Sequence, residues 1–234
     1  MSMQYKIINK SSIKLGDLKI TINQLHRALI NTNEKIKEIG FVDDGINLFN
    51  IIDFRVFSGM IGELFAKELS LVNNRLERNP NLNGYPDLLN IASPKAKIYF
   101  ENCEQNKFLR FKYGGIEVKN SFGTKKSKTN IVNGDQRIEF INNKIDWKAH
   151  HQETNYLIGL VSDYINSVPK IVAVCYSNDL EKNDWNKVQK PKGDSAMTSF
   201  TAITREGYAK MVSNIKICLG DIKYLKFFNC LDNV

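Results

Sequence analysis

Residues 115–121, which read GIEVKNS, decide how the rest of this chain is interpreted. Two apolar residues, Ile116 and Val118, alternate with Glu117 and Lys119, a pattern that favours a β-strand. Because successive side chains of a strand point to opposite faces, we expect Ile116 and Val118 to face the core. Glu117 and Lys119 then share the other face, so the strand presents an acid and an amine side by side.

A second acid lies upstream in the dipeptide Pro86-Asp87, 30 residues before Glu117. If the chain folds Asp87 back beside Glu117, two carboxylates form a hard, oxygen-lined pocket. Such a pocket suits Mg²⁺, with Mn²⁺ as a substitute, because Mg²⁺ keeps several waters and bridges to a phosphate. Lys119 then lies where a water molecule would attack that phosphate.

Pro86-Asp87 followed by Glu117-Val118-Lys119 resembles the catalytic motif of the Pro-Asp…(Asp/Glu)-x-Lys nuclease superfamily. The chain length and the downstream sequence are most similar to its type II restriction endonucleases. The resemblance implies an α/β fold with a mixed β-sheet flanked by helices and a restriction-endonuclease-like core. It also implies that Asp87, Glu117 and the Val118 carbonyl hold the metal while Lys119 positions the water.

The activity implied by the resemblance is Mg²⁺-dependent cleavage of double-stranded DNA at a specific short sequence, leaving a 5′-phosphate and a 3′-hydroxyl. A homodimer is the expected active form, with a cognate DNA methyltransferase as its functional counterpart. Two alternatives remain open from the sequence. One is a repair or phage nuclease of the same superfamily that cuts by DNA structure, and the other is a basic nucleic-acid-binding module without catalysis.

Further acids are candidates for the same site. In the resembling nucleases a helix before the first catalytic acid often contributes a glutamate, and Gly62-Glu63-Leu64 matches that position. An acid on an amphipathic helix more often simply meets solvent. Glu101 and Glu104 are fallback ligands if Asp87 lies too far from Glu117.

The Asp-x-Lys pattern also begins at Asp17, Asp146 and Asp221, so the tripeptide alone decides little. The copy at Glu117 differs because it follows a Gly-Gly turn, lies in an apolar alternation and has a Pro-Asp upstream. Asp17 has too little chain before it, and Asp146 is expected to begin a helix. Asp221 is the strongest competitor because Asp194 precedes it, although no proline stands before that residue.

Charge points to a polyanionic partner. The chain has 33 Lys and Arg against 25 Asp and Glu, a formal net charge of +8. Seven of the basic residues fall within 107–128, where Glu117 is the single acid. Such a cluster would neutralise phosphates and release counterions on binding. A solvated basic loop is the alternative meaning of the same run.

Residues expected to contact DNA lie at the end of the Glu117 strand, in the basic loop after it, around a His-His pair and in a lysine- and hydroxyl-rich segment. The pair opens HHQETN at 150–155, which resembles a stretch found in some of these endonucleases. For the histidines, a satisfied surface or core position is the favoured alternative. For the hydroxyl-rich segment, the β-propensity of threonine is an equally good explanation. The candidates are Asn120, Ser121, Lys125, Lys126, Lys128, His150, Gln152, Lys190, Lys192, Thr198 and Ser199.

The four cysteines show no metal-ligand spacing, and Cys175 lies in an apolar run as a buried thiol would. The start of the chain has no secretory apolar region, and no apolar stretch reaches membrane-span length. We therefore expect a cytoplasmic protein, with no membrane partner and with reduced cysteines. One nuclease domain is expected over 1–234, with a catalytic core at about 52–176 and a C-terminal part, 177–234, carrying a DNA-contacting loop.

Apolar periodicity and turn residues predict the elements around the motif. The order strand, helix, strand that ends with the buried strand at 171–176 implies a right-handed crossover. Two strands before the Glu117 strand should form a small meander with it. The predicted helices cover 20–39 (ending at Gly40), 52–79, 146–166 and 207–219; the predicted strands cover 97–101, 108–113, 115–121, 171–176 and 195–204.

Overall fold

A computed structural model of the protein describes residues 4–41, 45–123, 128–141, 144–190 and 199–231. The elements of this part of the chain are, in order, β1 (Tyr5–Ile7), β2 (Ile13–Leu15), β3 (Leu18–Ile20), α1 (Ile22–Ile39), α2 (Phe54–Val72), β4 (Leu76–Arg78), β5 (Leu88–Asn90), α3 (Pro94–Asn102), β6 (Gly115–Ser121), β7 (Lys148–Ala149), β8 (Leu157–Ile165), β9 (Val168–Ser177), β10 (Thr201–Ala202), α4 (Arg205–Val212), β11 (Ile215–Leu219) and α5 (Ile222–Phe227).

The described strands form a central sheet in the order β1-β11-β9-β8-β6-β5-β4. Neighbours pair antiparallel except for β6 and β8, which run parallel. Two small ribbons, β2-β3 and β7-β10, lie outside it. The predicted class, an α/β protein with a mixed sheet flanked by helices, is therefore confirmed.

Both faces of the sheet are covered. On one face, Leu29 of α1 and Phe65 of α2 pack with Ile158 of β8 in one apolar core. On the other face, Leu157 of β8 packs in a second core with Met211 of α4. The central strands are accordingly apolar on both sides, as expected for strands that lie inside a layered sheet. Within the described residues, no helix has the length and apolarity needed to cross a membrane.

The two long helices follow the sequence signals at their N-termini. Thr21 caps α1 in a capping box with Gln24, and α1 ends before Gly40 as predicted. Asp53 caps α2, which ends at Val72, so the predicted extension to residue 79 is wrong. Residues 76–78 instead pair with β5 as strand β4.

The meander predicted before Glu117 is wrong. Residues 97–101 lie in α3, because Ser93 accepts a hydrogen bond from the Ala96 N–H and Pro94 fits the first helical turn. The next predicted strand begins in a short 3-10 helix, Gln105–Leu109, and continues irregularly. Strand β6 itself matches the predicted 115–121.

The helix predicted over 146–166 is also wrong. Residues 157–165 form β8, which pairs with β6 on one side and β9 on the other. The predicted crossover helix before the strand at 171–176 is therefore wrong as well. β8 joins β9 through a hairpin that Asn166 and Ser167 close with positive φ values of 53° and 60°. The strand predicted at 171–176 is confirmed within β9.

The C-terminal predictions are partly correct. Residues 205–212 form α4, but 215–219 form β11 rather than continuing the helix predicted over 207–219. Of the strand predicted over 195–204, residues 201–202 form β10, while 195–198 lie outside the described residues.

Substitution of two glycines should change the stability of this fold in opposite directions. A Cβ built on Gly159 of β8 would lie 2.6 Å from Met211 Cε and 2.7 Å from Trp147 Cε2, whereas one built on Gly59 of α2 meets nothing within 4 Å. We expect Gly159→Ala to lower the free energy of unfolding by about 1–3 kcal/mol through overpacking. Gly59→Ala should raise it by up to about 1 kcal/mol through helix propensity. Urea unfolding measures both, and equal shifts would contradict the packing described here.

Candidate active site

Strand pairing brings Asp87 beside β6. Leu88 pairs with Ile116 in the antiparallel β5-β6 ladder, so the residue just before β5 lies next to the middle of β6. The Asp87 N–H donates to Glu117 Oε2 at 3.2 Å, and the Val118 N–H donates to Asp87 Oδ2 at 2.9 Å. Each of the two carboxylates thus accepts a hydrogen bond from a main-chain N–H of the other segment.

Lys119 joins the two acids. Its Nζ lies 2.7 Å from Glu117 Oε1 and 3.1 Å from Asp87 Oδ2. Glu117 and Lys119 therefore share one face of β6, while Ile116 and Val118 lie in the core. The three side chains singled out in the sequence meet at one place.

Burial sets the electrostatics of this cluster. Glu117 is 3% exposed. Its burial raises its pKa to about 7, with the nearby Lys119 opposing the shift and the charge of Asp87 adding to it. Burial acts to lower the pKa of Lys119, but the carboxylates of Glu117 and Asp87 outweigh it and hold that pKa above its ordinary value.

Tyr85 and His151 border the cluster. Burial, followed by the charge of Glu117, raises the pKa of Tyr85 to about 12. Its ring meets the ring of His151 edge-on, with centroids 4.3 Å apart. Burial also lowers the pKa of His151, which favours the neutral imidazole. The aromatic edge of the site is therefore uncharged near neutral pH.

The donor set suits a hard divalent cation. Within the described ranges, no three or more His, Cys, Asp or Glu side chains are grouped to hold a metal. The set is instead two carboxylates and one main-chain carbonyl, that of Val118. The Val118 side chain lies in the core, so its main chain is what reaches the cleft. Mg²⁺ commonly combines one or two carboxylates with waters, so these residues fit that ion.

Gly62 of α2 lies beside the Val118 carbonyl, since a Cβ built on Gly62 would be 3.8 Å from Val118 O. The ammonium of Lys119 bridges the two carboxylates and compensates their charge.

The cluster opens into a cleft with a volume of about 710 Å³. Its walls come from the start of α2, the end of β6 and the connection between β6 and β8. Asp87 and Lys119 line it together with three further basic side chains, Arg55, Arg137 and Lys148. Arg55 is paired with Asp53, which lines the same cleft, so the basic wall of the cleft consists of Arg137 and Lys148 beside the partly buried Asp87.

The other acids proposed from the sequence lie in different settings. Glu63 lines the same cleft, but its Oε2 accepts from Arg78 Nε at 2.8 Å and Nη2 at 2.5 Å. Its carboxylate is thus engaged by a cation instead of joining Asp87. Glu101 and Glu104 are exposed on and just after α3, and neither lines the cleft.

Of the residues proposed to contact DNA, two line the cleft but are held in place by the fold. Asn120 accepts from Ser162 Oγ at 2.7 Å and donates to Ser58 Oγ at 3.3 Å. Ser121 Oγ accepts the Gly123 N–H at 2.8 Å. These contacts fix the end of β6.

The other proposed DNA contacts lie on neighbouring loops. His150 Nδ1 is 3.4 Å from the Ser199 carbonyl, and Gln152 donates to the Asn186 carbonyl at 2.9 Å, so both tie loops together. Lys128 and Lys190 are exposed. Lys125, Lys126, Lys192 and Thr198 lie outside the described residues.

The competing Asp-x-Lys copies are separated by the fold. Asp17 lies in the β2-β3 turn, and Asp221 caps α5. Asp146 does not begin a helix, but it lines the cleft and pairs with Lys144 at 2.9 Å. That placement depends on the long β6-β8 connection and has no local sequence signal.

Comparison of the chain with protein families, curated proteins and solved structures found no match. The functional argument therefore rests on the chemistry of the site itself. Sequence reasoning missed four residues that line or border it: Arg55, Tyr85, Arg137 and Lys148. The position of Tyr85 beside Pro86-Asp87 was the one available local signal.

Removing Lys119 should expose the repulsion between the two acids. We expect Lys119→Met to lower the free energy of unfolding at pH 8 by about 3 kcal/mol, because it leaves the buried Glu117 carboxylate and the partly buried Asp87 carboxylate without a counter-ion. An acid whose folded-state pKa is raised stabilises the fold below its ordinary pKa of 4.5, and that contribution is lost as pH rises through about 7. The loss of unfolding free energy caused by Lys119→Met should therefore be smaller at pH 6 than at pH 8. Mg²⁺ should reduce that loss at pH 8.

Chemical unfolding between pH 6 and pH 9 measures this effect. Lys14→Met, on an exposed part of β2, is the matched control and should show a pH-independent difference. The double variant Glu117→Gln/Lys119→Met should lose most of the pH dependence. An equal penalty for Lys119→Met at every pH would contradict the electrostatic account.

Proposed function

We propose that this protein is a Mg²⁺-dependent endonuclease that hydrolyses phosphodiester bonds of double-stranded DNA. The observation that carries the proposal is the cluster of Asp87, Glu117 and Lys119, in which Lys119 Nζ lies within 3.1 Å of both acids. Asp87 and Lys119 of this cluster line the cleft. Two carboxylates and a lysine on paired strands supply the oxygen ligands and the cation that phosphodiester hydrolysis uses.

Each residue has a distinct role in this proposal. Asp87, Glu117 and the Val118 carbonyl would hold Mg²⁺. When bound, the ion supplies polarisation of the phosphodiester and a lowered pKa for water. Lys119 would orient the attacking water and offset the negative charge that develops on the phosphate. The low exposure of Glu117 strengthens these charge interactions because little water competes for them.

Charge supports a nucleic-acid substrate. The chain carries a net charge of +8, and Arg137 and Lys148 line the cleft together with Asp87 and Lys119. A polyanion would be attracted to the basic wall, which releases counterions, while its scissile phosphate meets the metal ligands. A small acidic metabolite would need less basic surface than this chain has.

The finer assignment is a type II restriction endonuclease with a restriction-endonuclease-like core. It is supported by the Pro86-Asp87 and Glu117-Val118-Lys119 resemblance and by a mixed sheet that carries both parts. We accordingly propose sequence-specific cutting by a homodimer to give 5′-phosphate and 3′-hydroxyl ends. A cognate DNA methyltransferase would protect the host sequence.

Plasmid digestion tests the activity directly. We expect cleavage with Mg²⁺ and none with EDTA. Asp87→Asn, Glu117→Gln and Lys119→Ala should each lower the cleavage rate by roughly 100-fold or more, because each removes a ligand or the positioning cation. Glu101→Gln is the matched control, since it neutralises an exposed acid outside the cleft and should cut like the parent.

The digestion pattern separates the functional alternatives. Discrete bands support a restriction enzyme, whereas selective cutting of branched DNA supports a structure-specific nuclease. Duplex that is bound and stays intact across varied plasmid sequences supports a binding module and contradicts the nuclease proposal. Cleavage that persists in EDTA, or that survives Glu117→Gln, would contradict the assigned site.

A further inference from the structure

Arg137 is a buried cation in the wall of the cleft. The residue is 8% exposed, and it lines the same cleft as Asp87 and Lys119. Its Nε is buried without a hydrogen-bond partner. Across the described ranges, its guanidinium makes neither a side-chain hydrogen bond nor an ion pair. A charged group therefore lies largely removed from water with its donors unused.

The surroundings of Arg137 do not supply the missing anion. The guanidinium carbon lies 4.1 Å from the centre of the Phe54 ring, a stacking contact that stabilises a cation but accepts no N–H bond of normal strength. Burial acts to lower the pKa of Arg137, yet a guanidinium remains charged in proteins. An unpaired buried charge is costly, so a ligand that pairs with it gains a large interaction.

The two acids that act on Arg137 electrostatically are engaged elsewhere. Asp163 accepts main-chain N–H groups from Arg137 at 2.6 Å and Ile138 at 3.2 Å, and the Tyr224 hydroxyl at 3.1 Å. Asp53 pairs with Arg55 through Nε and Nη2, both at 2.9 Å. Each carboxylate thus has its own donors.

The same contacts hold Arg137 in position. Asp163 anchors the main chain of residues 137–138 to β8, and Phe54 supports the plane of the guanidinium. The Tyr164 hydroxyl, which is buried without a partner, adds a second polar group coupled to Arg137. A fixed guanidinium presents parallel N–H donors, which match the two non-bridging oxygens of a phosphodiester.

We propose that Arg137 binds a backbone phosphate of the DNA that occupies the cleft. This inference rests on the proposed nuclease function and adds a substrate-binding residue to it. The ligand chemistry is a phosphodiester anion, taken from duplex DNA rather than from a free nucleotide. The phosphate held by Arg137 sets where the strand lies relative to Asp87, Glu117 and Lys119.

Binding of a fluorescent 20-base-pair duplex in EDTA tests the inference without cleavage. We expect Arg137→Met to weaken binding about tenfold or more, because it removes a desolvated charge contact. The slope of log affinity against log salt should fall by about one unit. Arg27→Met is the matched control, since Arg27 is exposed on α1 outside the cleft, and it should bind within about twofold of the parent.

Arg137→Lys keeps the charge but loses the planar fork. We expect intermediate affinity with the parental salt slope. Thermal melting shows whether each variant folds. If Arg137→Met does not fold, the affinity of Arg137→Lys for the duplex tests the inference in its place. The inference would be overturned if a folded Arg137→Met had the affinity and the salt slope of the parent. Where Arg137→Met does not fold, an Arg137→Lys variant with the affinity of the parent would overturn it.

The two proposals fail in different ways. Arg137-dependent binding of duplex with no Mg²⁺-dependent cutting supports the phosphate contact and contradicts the nuclease. Cutting that Arg137→Met leaves unchanged, together with unchanged binding, contradicts the phosphate contact alone. Arg137-dependent binding of inorganic phosphate or a mononucleotide, with no binding of duplex, would assign the guanidinium to a small ligand and overturn the DNA contact.

Discussion

The pairing of Leu88 with Ile116 is the constraint on which the site depends. It places Asp87 where its carboxylate reaches the Val118 N–H and its own N–H reaches Glu117. The close approach requires glycine at 115, because a Cβ built there would lie 1.9 Å from the Leu88 carbonyl oxygen. The Gly-Gly pair before the motif is thus part of the geometry that joins the two acids.

Burial and charge act against each other at this junction. Withdrawing Glu117 from water raises its pKa, and Asp87 adds repulsion, yet Lys119 bridges both carboxylates. Under the proposed function, a divalent cation would take over the neutralisation that Lys119 provides without metal. The ammonium would then be available to a water and a phosphate. The same three groups therefore compensate one another's charge in the fold and supply the chemistry of the proposed reaction.

The parts of this structure that local sequence predicted are those with local causes. The Thr21 cap and the spacing of apolar residues in α1 are signals in the helix sequence and the residue just before it. The alternation of apolar and charged residues in β6 is a signal in the strand sequence itself. The prediction fails at β8 because its residues are buried on both faces, and periodicity alone does not distinguish a buried strand from a buried helix. It fails at residues 97–101 because Ser93 and Pro94, which lie before that segment, begin a helix there.

The basic wall follows from topology rather than from any motif. β6 and β8 are parallel neighbours, so the chain must return along the sheet between them. In its described part that return contains short turns and β7, not an α-helix. Its residues therefore lie as irregular chain over the end of β6, where Arg137 and Lys148 reach the cleft. The central sheet thus positions Asp87, Glu117 and Lys119, whereas Arg137 and Lys148 come from the β6-β8 connection, as is common where a rigid scaffold is combined with loop residues at a site. Contacts such as Asp163 with the Arg137 N–H link residues far apart in sequence, so no local pattern predicts them.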